Sequence, residues 1–582
     1  MSYPNLLDRW AGRVQQHGDQ PALVTPDRVL THRNLAELAG GLRAELIDRA
    51  GSDPDGVVSI VCADRALVTA TILAAAGLGR RFAPIDLSQP AARLAALVDQ
   101  LQPAAVVADA AGRAALAAAG RDDGTIDADA VAPGPWPWTA EAPADRGYVY
   151  FTSGTTGRPK GIVGSLEAVA HFVDWEIAEF AVDAQDRVSM LTSPGFDAYL
   201  RDALVPLCAG GSAISAESVP VGAALAAWLR EHRITVLHCV PTVWRTLRAV
   251  ELGPGSLPDL RAVLLAGEAV RPADVAWWCR GPGDGVPLVN LYGPSETTMT
   301  KVFRRLSKAD ADADVVPVGR PMPGVTVRLM ASGRPTTDRV GEVEIATPFR
   351  LGGYLDGYTG GFVDPHHYRT GDLGRLRPDG ELEILGRRDQ QVKVNGVRVE
   401  LGEVEDVLRR CPGVTDACVA LVDDDDGDAD PVLCAYLVAD GVTDEVLREH
   451  VAAVLPIACR PAVYLRLAVL PRTLSGKIDR RRLPSPAAVR ATEDTVAPRP
   501  GAETVLAEIY GELLGLPRVG RDDDFGLLGG DSLRTARLLD RVRIRFGVEV
   551  SLRAFMADPT VAGLATTVEA ATIGATTTAA KR

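Results

Sequence analysis

The chain has no CxxC pair: its eight cysteines, Cys62, Cys208, Cys239, Cys279, Cys411, Cys418, Cys434 and Cys459, are scattered through 582 residues. They lie mostly in apolar contexts, so they read as core thiols rather than disulfides or zinc ligands, and a reducing cytoplasm is expected. Long apolar runs are missing too. The longest, such as ALVTATILAAAGLG from Ala66, fall short of the ~18–20 residues that span a bilayer and read as buried helix. The opening MSYPNLLDRWAGRV has no apolar leader core; Leu6, Leu7, Trp10 and Val14 mark one face of a helix instead. Basic residues are outnumbered, 62 Lys and Arg against 76 Asp and Glu, for a net charge of −14. That balance leaves no basic face for nucleic acid or an anionic membrane, and neither is expected as a partner. The acidic run VDDDDGDADP (422–431) lacks the EF-hand pattern, because Gly427 as the sixth loop position would put Val422 where the first ligand belongs. It reads as a solvated loop.

What is present is ordinary globular composition, 47% hydrophobic and 24% charged, over a length that calls for several domains. Up to about residue 385, β-branched runs alternate with Ala/Leu-rich stretches, as in VVSIVCA (57–63) before the helix at 66–76, and predict parallel α/β layers. Beyond that, ELEILGR, VKVNGVRVE and VLCAYLV predict strands, while GEVEDVLRRC and TDEVLREHVAAVL predict helices. SPAAVRATEDTVAPRP (485–500) has the composition of a tether. AETVLAEIYGELLGL then puts Val505, Leu506, Ile509, Leu513 and Leu514 on one stripe, and Leu533, Ala536, Leu539 and Val542 recur at helical spacing. The expected plan is a large α/β subdomain over 1–388, a small mobile α+β subdomain over 389–485, a linker over 486–500, a four-helix bundle over 501–572 and a disordered tail over 573–582.

The phrase YVYFTSGTTGRPKG, Tyr148 to Gly161, is a strand-like run opening into Ser, Thr, Gly and Lys. Small hydroxyls, backbone amides and a lysine suit a polyphosphate, whose oxygens accept several hydrogen bonds and whose charge needs compensation. It is no Walker A loop, since Pro159 precedes Lys160 and Gly161 follows it. Alone it could equally be a solvated turn. Further phrases follow in order: NLYGPSETT (290–298), YRTGDL (368–373), LGRRDQQVKVNGVRVELGEVE (385–405) and PRTLSGKIDRRRLP (471–484). Together they resemble the core motifs of the adenylate-forming superfamily, which includes acyl-CoA synthetases, luciferases and the adenylation domains of non-ribosomal peptide synthetases. GLLGGDSL (526–533) resembles the attachment site of a peptidyl carrier protein. The resemblance implies an adenylation–carrier didomain.

By that resemblance, Thr152, Ser153, Gly154, Thr155, Thr156 and Lys160 form a phosphate loop around the ATP triphosphate, and Gly267 also lies against the nucleotide. Asn290 and Tyr292 would meet adenine, Glu296 would hold Mg²⁺, and Asp372 and Arg387 would take the ribose hydroxyls. Glu296 is chemically apt, since a hard cation takes carboxylate oxygen. Lys477 would be the catalytic residue, compensating charge where the substrate carboxylate attacks the α-phosphate. Asp389 matches the hinge, and Gly396 the tunnel for the pantetheine arm, where a missing side chain permits close approach. Ser532, a good helix N-cap on its own terms, becomes the point of attachment for 4′-phosphopantetheine.

FDAY places Asp197 where amino-acid-activating members carry the partner of the α-ammonium; a helix-cap aspartate is the plainer reading. The pocket implied by the motifs comprises Asp197, Ala198, Arg201, His238, Leu264, Ala266, Leu291, Met299 and Thr300. A buried arginine needs an anion, so the expected substrate has an acidic or strongly polar side chain; if Arg201 pairs with Asp202 instead, a mid-sized aliphatic amino acid fits. The expected reaction makes an aminoacyl adenylate and loads it as a thioester on the protein's own carrier. The other readings are an aryl or fatty acyl-AMP ligase fused to a carrier, and a degenerate nucleotide-binding scaffold. Expected partners are a phosphopantetheinyl transferase, a condensation or tailoring enzyme in trans, and an MbtH-like protein.

Overall fold

Buried runs of aliphatic residues build two mainly parallel sheets. In one, Pro21–Val24, Ser212–Ser215, Arg187–Met190, Val236–Cys239, Ala262–Ala266 and Leu288–Tyr292 run parallel, with Val302–Leu306 antiparallel beside the last. In the other, Ile126–Asp127, Ala105–Ala108, Val57–Val61, Arg81–Pro84 and Gly147–Thr152 run parallel, and Lys160–Ser165 closes the edge antiparallel. Strands covered on both faces read as continuous apolar runs, and Val57–Val61 is buried at every position. These are features of a computed structural model that describes the chain apart from residues 1–5, 50–55, 122–123, 138–145, 153–158, 337–339, 350–351, 390, 395, 423–430, 473–477, 486–495, 517, 526–527, 529, 531, 549, 551–553, 556–557 and 580–582.

Helices pack between and over the sheets. Arg65–Gly77 starts at Asp64, whose carboxylate accepts from the Ala66 N–H, and is buried on every side from Ala66 to Ala76. No helix among the described residues is long and apolar enough to cross a membrane. Leu166–Phe180 starts at Ser165, whose hydroxyl oxygen accepts from the Ala168 N–H. All eight cysteines are free thiols, seven of them buried.

A third sheet is antiparallel, with Gly341–Ala346, His367–Leu376 and Leu382–Arg387 at its centre. Alternate burial along His367–Leu376 turns Tyr368, Thr370 and Asp372 to the same inner face. The small unit follows: the hairpin Gln391–Val394/Val397–Glu400, the helix Leu401–Arg409, and a sheet of Val414–Val422, Val432–Ala439 and Val463–Arg466. It has its own core around Val404, Leu408, Val419, Leu433 and Leu447. The acidic run joins two paired strand ends, Val422 and Val432, and its residues 423–430 lie outside the described ones.

The last unit is helical, as expected. Among the described residues it has three long helices, Ala502–Leu514, Ser532–Phe546 and Val561–Ala579. The stretch between Gly547 and Pro559, helical at Ala554 and Phe555, supplies Val548, Val550 and Phe555 to the core formed by Leu506, Tyr510, Leu538, Val542 and Leu564. The third helix also runs through Ala579, into the stretch expected to be a disordered tail.

Candidate active site

The site lies at the carboxyl ends of the parallel strands, where an open α/β sheet places its ligands. Leu288–Tyr292 brings Asn290 and Tyr292 there. Asn290 is buried and donates from Nδ2 to the Pro317 carbonyl at 3.1 Å. The Tyr292 hydroxyl donates to Asp372 Oδ2 at 2.5 Å. Burial, then the neighbouring carboxylate, push that hydroxyl's pKa well up, so it stays a donor. Asp372 and Arg387 face each other across two antiparallel strands, and Arg387 Nη1 donates to Asp372 Oδ1 at 2.8 Å. Arg387 also forks onto both oxygens of Asp389 at 2.7 Å, which ties the expected hinge to the expected ribose contact.

The expected phosphate side is a hairpin. Thr152 pairs with Lys160 across it, and Ser153, Gly154, Thr155 and Thr156 fall at its tip, outside the described residues. Lys160 Nζ rests 4.0 Å from the centroid of the Tyr358 ring. Glu296 is buried, and its Oε1 accepts from the Tyr354 hydroxyl and from Arg398 Nη1, both at 2.8 Å. Burial is the largest influence and opposes its charge, but the Arg398 guanidinium together with hydrogen bonds such as that from Tyr354 holds the carboxyl below its ordinary range. A buried carboxylate held ionised is a donor that suits a hard divalent cation.

Asp197 precedes the helix Ala198–Ala209 in the position of a cap, yet its side chain makes no capping bond. The carboxylate instead accepts from the Ser295 hydroxyl and the Met299 N–H, both at 3.0 Å. The loop that supplies them is strained: Thr298 and Met299 have φ of 67° and 54°, a left-handed conformation that costs a β-branched residue about 1–3 kcal/mol. Gly293 lets that loop fold back, since a Cβ there would lie 2.6 Å from the Met299 carbonyl oxygen. Burial raises the Asp197 pKa against the pull of these neutral donors. A desolvated carboxylate with no ion-pair partner within 4.0 Å among the described residues is one that an ammonium group would complete.

Of the other expected pocket residues, Leu264, Leu291, Met299 and Thr300 are buried, and Ala198 and Ala266 are half-buried. Arg201 pairs with Asp202, Nε to Oδ1 at 3.1 Å, which is the alternative the sequence leaves open. Neither Nη has a hydrogen-bond partner among the described residues. His238, on the strand Val236–Cys239, lies between two carboxylates, Asp202 at 3.1 Å from Nδ1 and Glu176 at 2.7 Å from Nε2. Sequence reasoning misses Glu176, which carries no motif signal, and also Ser295 and Arg398, which sit inside quoted motifs.

The small unit reaches the site through its first hairpin. Gly396 (φ 78°) faces Val240, and a Cβ at Gly396 would lie 2.5 Å from Val240 Cγ1. Gly267 faces the same turn, its would-be Cβ 3.4 Å from Gly396 Cα, so the residue expected on the nucleotide meets the hairpin. Arg93 and Glu403 add a buried ion pair across the two subdomains at 2.7 Å. Lys477 lies outside the described residues, while its neighbour Ile478 packs on the small unit's own cluster with Tyr436 and Leu465. Ser532 begins the helix Ser532–Phe546, which packs against the large subdomain's helix Gly222–Glu231; its side chain is not among those described.

Residues 9–355 match the family of AMP-binding enzymes, 403–477 the AMP-binding enzyme C-terminal domain and 504–568 the phosphopantetheine attachment site. The chain therefore belongs to the AMP-binding enzyme family, as an adenylation domain fused to a carrier domain. Novobiocin biosynthesis protein H from Streptomyces niveus is 32% identical over 597 residues, covering 96% of this chain and 95% of that one. The dimodular nonribosomal peptide synthase of Bacillus subtilis is 32% identical over 586 residues, 95% of this chain but 24% of its own length. The chain spans 7% to 52% of the length of several such curated relatives. Among solved structures, holo-PA1221, a nonribosomal peptide synthetase protein containing adenylation and carrier domains bound to a vinylsulfonamide inhibitor, has the same fold with a TM-score of 0.79 at 24% identity, covering 97% of this chain and 96% of that one.

Proposed function

We propose that the protein activates an amino acid with ATP as its aminoacyl adenylate and transfers the acyl group as a thioester to its own carrier domain, within nonribosomal peptide or related natural-product biosynthesis. The observation that carries this reading is Asp197, a buried carboxylate that makes no capping bond to its helix and whose hydrogen bonds and ion pairs among the described residues are to neutral donors, with the buried Lys301 felt only at longer range. An α-ammonium supplies the missing cation; an aryl or fatty acid has none to offer.

On this reading Asn290, Tyr292, Asp372 and Arg387 hold the adenosine, and Thr152 to Thr156 with Lys160 hold the triphosphate. The substrate carboxylate oxygen attacks the α-phosphorus and pyrophosphate leaves, so positioning and charge compensation supply most of the rate. Glu296 would hold Mg²⁺, which when bound offsets the phosphate charge. Lys477 would do the same at the reacting centre. Asp389 is the hinge of a mobile unit over 389–485, 486–500 is the tether, and Ser532 anchors the phosphopantetheine arm, which when attached supplies the accepting thiol. A phosphopantetheinyl transferase, a downstream condensation or tailoring enzyme and an MbtH-like protein are the partners this chemistry calls for. The substrate side chain is acidic or strongly polar, supported by the buried Arg201 whose terminal nitrogens have no acceptor among the described residues; the pairing of its Nε with Asp202 favours the second reading, a mid-sized aliphatic side chain.

Pyrophosphate exchange across the proteinogenic amino acids tests this. The expected result is amino-acid-dependent exchange with preference for Glu-, Asp- or amide-type substrates. A clear preference for Leu or Val would overturn the side-chain assignment; exchange with aryl or fatty acids alone would overturn the amino-acid reading, and no ATP-dependent pyrophosphate release would leave a scaffold.

A further inference from the structure

The pocket wall contains a chain of four buried ionisable groups from three elements. Glu176 comes from Leu166–Phe180, Arg201 and Asp202 from Ala198–Ala209, and His238 from Val236–Cys239. All are at most 4% exposed. Ser189 locks the His238 backbone, accepting from its N–H at 2.7 Å and donating to its carbonyl at 3.2 Å. The ring is thus fixed with Asp202 Oδ1 at 3.1 Å from Nδ1 and Glu176 Oε1 at 2.7 Å from Nε2. A neutral imidazole has one N–H and would turn a lone pair on one of the two carboxylates. The Glu176 contact is an ion pair rather than an aligned hydrogen bond, and neither oxygen of Glu176 has a hydrogen-bond donor among the described residues. A buried carboxyl so placed needs a cation beside it or a proton of its own, and the His238 ring is the group in reach.

Resting on the reading of this cleft as the amino-acid pocket, we propose that Glu176 is a specificity-determining positioning residue. With Asp202 it holds His238 as an imidazolium; Asp202 is then shared between His238 and Arg201 Nε, and the terminal nitrogens of Arg201 are left for an acceptor on the substrate side chain. In that arrangement two cations balance two anions. The groups facing His238 are Glu176, Asp202 and Arg201; burial opposes the imidazolium, Glu176 favours it most, Arg201 opposes it and Asp202 adds support. Asp202 is in turn held ionised by Arg201 and His238 against its burial, and its Oδ2 accepts from the Thr192 N–H at 3.0 Å. Asp197 and Lys301 titrate elsewhere in the site and are common to wild type and variant.

Full-length ¹⁵N-histidine-labelled protein tests this, with the His238 signal assigned by its loss in His238→Gln. Both ring nitrogens of wild-type His238 should carry protons up to pH 8. In the isosteric Glu176→Gln variant the ring should lose a proton between pH 6 and 8, so the pocket carries an extra positive charge only at the acidic end. The variant-to-wild-type ratio of KM for glutamate in pyrophosphate exchange should then rise about fivefold or more from pH 6 to pH 8.5. A wild-type His238 with a single N–H at pH 7 overturns the proposal without need of any variant, as does a KM ratio that stays flat. If wild type exchanges only with aliphatic amino acids while His238 keeps both protons, the substrate class above falls and the positioning role stands.

Discussion

Arg398 reaches across from the small subdomain's first hairpin and donates to Glu296 at 2.8 Å, inside the cleft of the large one. The carboxylate expected to hold a divalent cation is thus neutralised by a guanidinium that arrives with Gly396. Burial is the largest influence and opposes the Arg398 charge, but Glu296, with Tyr368 and Tyr354 beside it, pushes the guanidinium pKa further up, so the pair stays ionised. Breaking one partner of a buried pair costs about 3–5 kcal/mol, because the other charge is stranded. If the hairpin is docked for acyl transfer, Arg398→Ala slows carrier loading by about tenfold or more and leaves pyrophosphate exchange within about threefold. Single-turnover loading measured beside exchange checks it; equal losses in both would contradict the assignment.

Asp197→Asn keeps the volume and removes the charge. Amino-acid-dependent exchange should fall by about 100-fold or more, expressed mainly in KM, because a desolvated ammonium loses its counterion. Ser295→Ala removes one neutral donor and should cost far less, about threefold to tenfold. Steady-state exchange on both variants separates the two.

Much of this is legible in the sequence, and the reasons differ residue by residue. Tyr292, Asp372 and Arg387 sit in short motifs whose backbone fixes where the side chains point, and the fold brings them into one hydrogen-bonded set. Glu176 cannot be read there, because it lies mid-helix in an apolar stretch and gains its meaning only from His238, on another element far along the chain. Arg201 is buried, as a pocket position requires, but its pairing with its own neighbour Asp202 depends on a rotamer that no spacing specifies. The carrier's helices are visible as apolar stripes, whereas the core role of Val548, Val550 and Phe555 is hidden in a connecting segment too short to show a period.

Lys301 is fully buried with no hydrogen-bond partner for Nζ among the described residues. Burial lowers its pKa to about 7 against the opposing pull of Asp197. The unfolded chain binds this proton up to the ordinary lysine range, so the folded state carries the full penalty below pH 7 and sheds it as pH rises towards 10. Lys301→Met should therefore stabilise the free protein at pH 6 by at most on the order of 4 kcal/mol, with the gain shrinking steadily above pH 7. Denaturant unfolding at pH 6 and pH 9.5 measures it; a gain that does not shrink would contradict the titration.

A side chain at Gly396 collides with Val240 Cγ1 and is strained by the positive φ. Gly396→Leu should reduce carrier loading by about tenfold or more while exchange survives, and Val240→Ala in the same chain should restore part of the loss by making room. Partial rescue is the informative result, since the backbone strain remains.

The most direct test of the account is intact-mass analysis of the full chain, treated with a phosphopantetheinyl transferase and coenzyme A and then with Mg·ATP and an amino-acid mixture. Wild type should gain the mass of the arm and then that of one aminoacyl group, while Ser532→Ala should gain neither and still support exchange. An acyl group retained on Ser532→Ala, or an arm on wild type that never acquires an amino acid although exchange proceeds, would contradict it.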